Sequence, residues 1–248
     1  MAGRLAEDGL PEEVDAKEFS AKAKAYDKLQ RKHHWIYSCQ VSSYYLFRTH
    51  LTTGHRERIV LRYERFRQSE LCMLPYGKLS FTGGHANTGE KPYGNVYCID
   101  TLKDFALTGK PDMLTPRRKH AAIYFDNYIY VIGGLVMASS NNRLKECERF
   151  EVHQEQWEPL ENLPHYSTGS ASVVVSGETR CLYTLGSHTS NDVTDLIQRL
   201  SLTELRWDIL ELKLPDPSSY VACFKLDESQ VYFVISKMLY SFTPQANS

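Results

Sequence analysis

The sequence predicts an all-β protein made of a repeated four-stranded unit, on three observations. The first is a glycine pair that returns roughly every fifty residues, a period that marks an array of small similar units. Gly83-Gly84 closes Leu79-Ser80-Phe81-Thr82, and Gly133-Gly134 closes Tyr128-Ile129-Tyr130-Val131-Ile132. A worn copy, Gly186-Ser187, closes Cys181-Leu182-Tyr183-Thr184-Leu185, and Val231 to Ser236 repeats the strand without either glycine. The second observation is a constant spacing of seven: Phe150 to Trp157, Leu200 to Trp207, Cys98 to Phe105 and Thr49 to Arg56. The third is that the residues inside that spacing, such as Thr52-Thr53-Gly54 and Val152-His153-Gln154-Glu155, suit a tight turn between two strands.

Each unit then reads as four strands, A to D. In the clearest one, Lys119–Phe125 is strand A, Asp126-Asn127 a hairpin turn, and Tyr128–Ile132 strand B. Lys145–Val152 is strand C, Gln156–Leu160 strand D, and Leu163-Pro164 leaves the unit. Strand B is a nearly unbroken apolar run, as a strand buried on both faces should be. The glycines after it permit positive φ or a close approach by a neighbouring strand. A tryptophan on strand D, Trp157 or Trp207, offers a large apolar surface to the adjacent unit and is expected to be buried there.

These features resemble the kelch repeat. The residues that carry the likeness are Gly133, Gly134, Glu148, Phe150 and Trp157 in one unit. Gly83, Gly84 and Phe105 (in the tryptophan position) carry it in a second, and Gly186 and Trp207 in a third. It covers roughly residues 35–243. The resemblance implies a β-propeller, each unit a blade of four antiparallel strands. At this period the chain holds about four to five blades, so the expected fold is an incomplete kelch-type propeller. After Lys237–Phe242 the chain ends where strand D of its last unit should begin, and no convincing strand A precedes Trp35-Ile36-Tyr37-Ser38. Open blade edges would then allow self-association.

Residues 1–34 read as a leader preceding the array at 35–248. Phe19, Ala23, Tyr26, Leu29 and Gln30 lie at helical spacing, and Pro11-Glu12-Glu13 is a suitable helix start. The expectation is a short amphipathic N-terminal helix, with the tail of a coiled coil as the alternative.

Composition narrows the function classes. The net charge is −1, so nothing calls for a nucleic-acid or membrane partner. Met1 to Glu13 is polar and acidic rather than a secretory signal, and the expected compartment is the cytoplasm. The six cysteines, at 39, 72, 98, 147, 181 and 223, stand singly and read as reduced thiols on strands. His33-His34 has no ligand set around it. His85 and His188 hold the same repeat position, but no cofactor or metal is expected. Arg117-Arg118-Lys119-His120 reads as a solvated loop between units or as one patch of a surface for an acidic protein segment.

The loops between strands B and C carry the functional expectation. They are His85–Tyr93, Leu135–Asn142 and His188–Val193. Variable loops on a rigid scaffold are where binding usually resides. The candidate contacts are His85, Asn87, Tyr93, Leu135, Met137, Arg143, His188 and Asn191. Leu135, Val136 and Met137 are apolar for a loop and pack inward or form an exposed anchor, the sequence favouring neither. The reading is a non-catalytic scaffold or recognition module for another protein. The alternatives are a kelch-fold enzyme acting on a sugar or small substrate, as the family's oxidases do, and a degenerate fragment without activity of its own.

Overall fold

A computed structural model of the chain describes residues 12–13, 35–39, 45–50, 52–61, 68–85, 91–136, 142–175, 180–188, 192–219, 221–225 and 230–244. These residues form β structure and turns, with no helix among them. Among the described residues nineteen strands assemble into five antiparallel sheets.

The first sheet holds β2 (Trp35–Cys39), β3 (Tyr45–His50) and β4 (Arg56–Val60). The second holds β5 (Glu70–Leu74), β6 (Lys78–Thr82), β7 (Val96–Asp100) and β8 (Ala106–Lys110). The third holds β9 (Ala121–Phe125), β10 (Tyr128–Ile132), β11 (Cys147–Glu151) and β12 (Gln156–Leu160). The fourth holds β13 (Ala171–Val175), β14 (Cys181–His188), β15 (Val193–Ser201) and β16 (Trp207–Lys213). The fifth holds β17 (Ala222–Lys225), β18 (Val231–Ile235) and β19 (Met238–Phe242), with β1 (Glu12–Glu13) on its outer edge.

Strand order in each complete sheet follows the chain, A-B-C-D, as expected for successive blades. The Asp126-Asn127 hairpin holds both residues at positive φ, +46° and +71°, the mirror-image turn that matches strand twist. The first sheet lacks a strand A among the described residues, also as expected.

Two expectations are corrected here. Glu12 and Glu13, read as the start of a helix, pair with Ser241 and Tyr240 of β19. The vacant strand-D edge of the last blade captures the N-terminal segment, because an edge strand offers a row of unpaired backbone groups. The last blade is therefore four-stranded, not cut short. The helical spacing of Phe19 to Gln30, and His33-His34, lie outside the described residues.

The chain divides into two compact units. One comprises residues 31–144 and 148–159, the other 1–30, 145–147 and 160–248. In the first unit the opening two sheets share a core of Leu46, Leu61, Leu79, Phe81 and Ile99. The second and third sheets meet over Cys72, Leu74, Met113, Ile129, Val131 and Phe150. In the other unit the fourth and fifth sheets close over Val173, Tyr183, Leu185, Ile197, Val231 and Phe233. Strand B is the central element each time: Ile129–Ile132, Cys181–Ser187 and Leu79–Thr82 are buried throughout. This is why its sequence is apolar without alternation.

Candidate functional site

The segments entering β9 and β17 cross the glycine end of a strand B, and this crossing positions the loop bases. A Cβ on Gly83 would lie 2.2 Å from the Arg117 carbonyl oxygen, and one on Gly186 would lie 2.0 Å from that of Ser218. Only glycine admits that approach, and φ is positive at both positions. The crossing is sealed by backbone bonds: Gly84 donates to the Arg117 carbonyl, and Arg118 and Leu135 exchange a pair.

Arg117, Arg118 and His120 therefore go inside. The reading of this run as a solvated loop or partner patch is overturned, since their exposures are 1%, 6% and 1%. Arg117 Nη2 donates to Glu148 Oε1 at 2.6 Å, Nη1 to the Gly133 carbonyl at 2.8 Å, and Nε to the Thr115 carbonyl. Glu148 accepts in turn from the backbone amides of Leu114 and Thr115. A buried pair of this kind holds its geometry only because the remaining donors and acceptors are satisfied.

The fourth blade repeats the arrangement without charge. Gln198 Oε1 accepts from the His165 amide, as Glu148 accepts from that of Thr115, fifty residues earlier in each case. Ser167 stands where the third blade has Arg117. Where the arginine is missing, the acid has become its neutral amide.

Arg118 ties together the bases of two B–C loops. Its backbone pairs with Leu135, while Nη1 donates to Gln68 Oε1 at 2.8 Å and lies 3.3 Å from His85 Nε2. Leu135 also bridges to Arg143 across its own loop, so Arg118 joins the two loop bases, its side chain at His85 and its backbone at Leu135. His85 (3% exposed) and Leu135 are buried and cannot serve as direct contacts as expected. They are the footing of the loops, and the apolar character of Leu135 reflects inward packing. Tyr93 and Arg143 are half-buried, and the Tyr93 amide donates to the Gly84 carbonyl. Asn87, Met137 and Asn191 lie outside the described residues. His188 closes β14 opposite Val193, and its amide donates to the Thr168 carbonyl.

Burial also sets the ionisation here. His120 lies 2.7 Å from the Thr82 hydroxyl, and desolvation, then the Arg117 charge, hold it well below the usual imidazole range. Burial pushes the Glu70 carboxyl up to about 8 and the Cys72 and Cys223 thiols up to about 12. Cysteines 72, 98, 147, 181 and 223 are thiols outside any disulfide, in accord with the single spacing. Among the described residues no three of His, Cys, Asp or Glu come together as a ligand set for a metal ion, and no helix is long and apolar enough to cross a membrane.

Trp157 and Trp207 hold equivalent places, as expected. Their indole Nε1 groups donate to the carbonyls of Pro111 and Glu161, each forty-six residues back. Both are half-buried rather than enclosed. Phe105 is not their counterpart. It sits in the turn at φ +55°, matching Glu155 (+55°) and Leu205 (+58°), and Leu107 follows two residues later where the tryptophans stand. The turn of the second blade is one residue longer than that of the third, and Ile99 rather than Cys98 faces Leu107, so a count of seven from Cys98 stops two residues short.

Residues 116–164 match the Kelch motif. That span runs from Pro116 through the Arg117–Glu148 pair, the Gly133-Gly134 crossing and Trp157 to Pro164, the features repeated along the sheets. The third blade is thus similar to a kelch repeat, and the second and fourth sheets keep its order of four antiparallel strands. No curated protein sequence matches the chain.

One repeated feature of these blades escaped sequence reasoning. Arg48, Arg149 and Arg199 on strand C pair across to Glu57, Glu158 and Asp208 on strand D, nine residues on each time. The signal was present, since Arg149 and Arg199, like Glu158 and Asp208, stand fifty apart.

Proposed function

We propose that this kelch propeller is a non-catalytic recognition module for another protein, docking through the loops between strands B and C. The observation that carries the reading is the Arg118 clamp. Two successive loops rise from bases that are locked to each other by a buried guanidinium and its backbone. Loops of variable sequence on such a base lose little entropy on docking, and binding residues concentrate on such loops. The buried charges at the footing are consumed in holding it together, with Arg117 and Glu148 satisfied by each other and by backbone groups.

The test replaces residues 86–92, 137–141 and 189–192 with short Gly-Asn turns, leaving the buried footing in place. Quantitative capture from the source cells then compares this variant with the unaltered chain, after a matching urea midpoint shows both are folded. The expected result is loss of a defined set of partners. Retention of every partner at full strength would move the interaction off these loops.

A further inference from the structure

The outer face of the first blade is unlike that of any other. Elsewhere strand B is buried on both sides, but in β2 Ile36 and Ser38 are exposed, Ile36 to 54%. The register places Ile36, Thr49 and Arg56 in one row across the sheet, then Ser38, Phe47 and Arg58, then Tyr45 and Val60. The opposite face, with Leu46, Tyr37 and Ile59, packs on the second blade.

This bare face is not a stacking surface waiting for another blade. The repeat positions that carry Phe150 with Trp157, and Leu200 with Trp207, carry Thr49 and Arg56 here. Two apolar anchors have been exchanged for a hydroxyl and a cation. The Arg56 guanidinium carbon sits over the Phe47 ring, 4.2 Å from its centroid, and that of Arg58 over Tyr45 at 4.7 Å. Both arginines are exposed. Among the described residues neither has a carboxylate partner, unlike Arg48, Arg149 and Arg199. Stacking on an aromatic ring fixes the guanidinium plane while leaving its N–H edge open, the presentation that suits bidentate capture of a carboxylate.

We infer that this face binds an extended acidic segment of another protein, with the pattern acid-x-acid-x-apolar. Along β4 the outward residues are Arg56, Arg58 and Val60, the last 61% exposed. Alternate residues on a strand are about 6.8 Å apart, and those of an extended peptide repeat at the same distance. Two carboxylates then meet two guanidiniums and an apolar side chain meets Val60. The face carries two positive charges and no acid in those rows, on a chain of net charge −1. Two cations are too few for the phosphate-dominated binding of a nucleic acid. The surface is distinct from the B–C loops, and the inference does not rest on them.

The experiment titrates the full chain into a fluorescein-labelled peptide with the core Glu-Ser-Glu-Ser-Leu, beside one with Lys-Ser-Lys-Ser-Leu, and reads anisotropy. The acidic peptide is expected to bind saturably and more weakly as salt is raised. Arg56→Ala with Arg58→Ala is expected to weaken it about tenfold. The pair Arg56→Glu and Arg58→Glu is expected to lose it and gain the lysine peptide, which also shows that this variant is folded. The variant with exchanged B–C loops is expected to bind as the unaltered chain does. Equal binding of both peptides, no saturable binding, or unchanged binding by the reversed pair would overturn the inference. So would tighter capture of an oligo-dT strand, or an arginine-dependent dimer that excludes the peptide.

Discussion

At the residue scale, the charges that look most available in the sequence are the ones most deeply used. Arg117 is 1% exposed and satisfied on three sides, so removing it alone leaves Glu148 buried without its counter-charge. Arg117→Ser is expected to cost about 3–5 kcal/mol of stability. The pair Arg117→Ser with Glu148→Gln copies the Ser167 and Gln198 of the next blade, and should recover more than half of that loss. Urea denaturation of the two single variants and the pair decides this; simple additivity would mean the two side chains are not coupled.

His120 gives the same scale a pH dependence. It is neutral in the folded chain because burial and Arg117 oppose its charge. Below about pH 6.5 the unfolded chain takes up a proton that the folded chain refuses, so stability falls as the pH is lowered. Glu70, raised to about 8, acts in the opposite sense, since its unfolded carboxyl releases a proton that the folded one keeps as the pH rises. Comparison with His120→Gln isolates the histidine. Between about pH 7.5 and 5.5 the urea midpoint of the unaltered chain should drop more than that of the variant. Parallel profiles would show that His120 titrates normally.

At the scale of elements, the repeat works by crossing rather than by stacking alone. Strands β9 and β17 are led in over glycines, and the bonds made at the β9 crossing fix where the B–C loops of the second and third blades begin. In the fifth blade β19 takes β1 as its fourth strand across more than two hundred residues of sequence. Two ladder pairs are a small contribution, but they cover the backbone of an otherwise open edge. Removal of residues 1–13 should therefore abolish hydrogen-exchange protection along the outer edge of β19, Tyr240 to Phe242, while β14 remains protected. Unchanged protection at Tyr240 would mean that β1 contributes nothing to the blade.

At the scale of the whole molecule, five blades divide into two compact units, each with its own core. Blades 2 and 3 present their loops from a clamped footing. Blade 1 presents a cationic face where the third blade carries Phe150 and Trp157. Exchanging the loops and reversing Arg56 and Arg58 address separate surfaces. A recognition module with both is expected to lose different partners in the two variants, and identical losses would show that only one surface binds.

The sequence by itself determined the strands, the turns and the repeat. Tyr128–Ile132 and Gln156–Leu160 were legible to the residue, because alternation, apolar runs and Asp-Asn turns are local signals. Glu148, Phe150 and the glycine pairs were legible as members of a period. What only the tertiary structure decided was which side of each element meets another. Arg117-Arg118-Lys119-His120 has the composition of an exposed loop, yet it is threaded across Gly83 and Gly134 and sealed there. Phe105 stands two residues before the tryptophan position, through one extra turn residue and a strand register in which Ile99, not Cys98, faces Leu107, and Glu12-Glu13 became a strand because an edge lay open to receive it. In each case the deciding interaction joins residues far apart in sequence, so no local pattern of residue types could carry it.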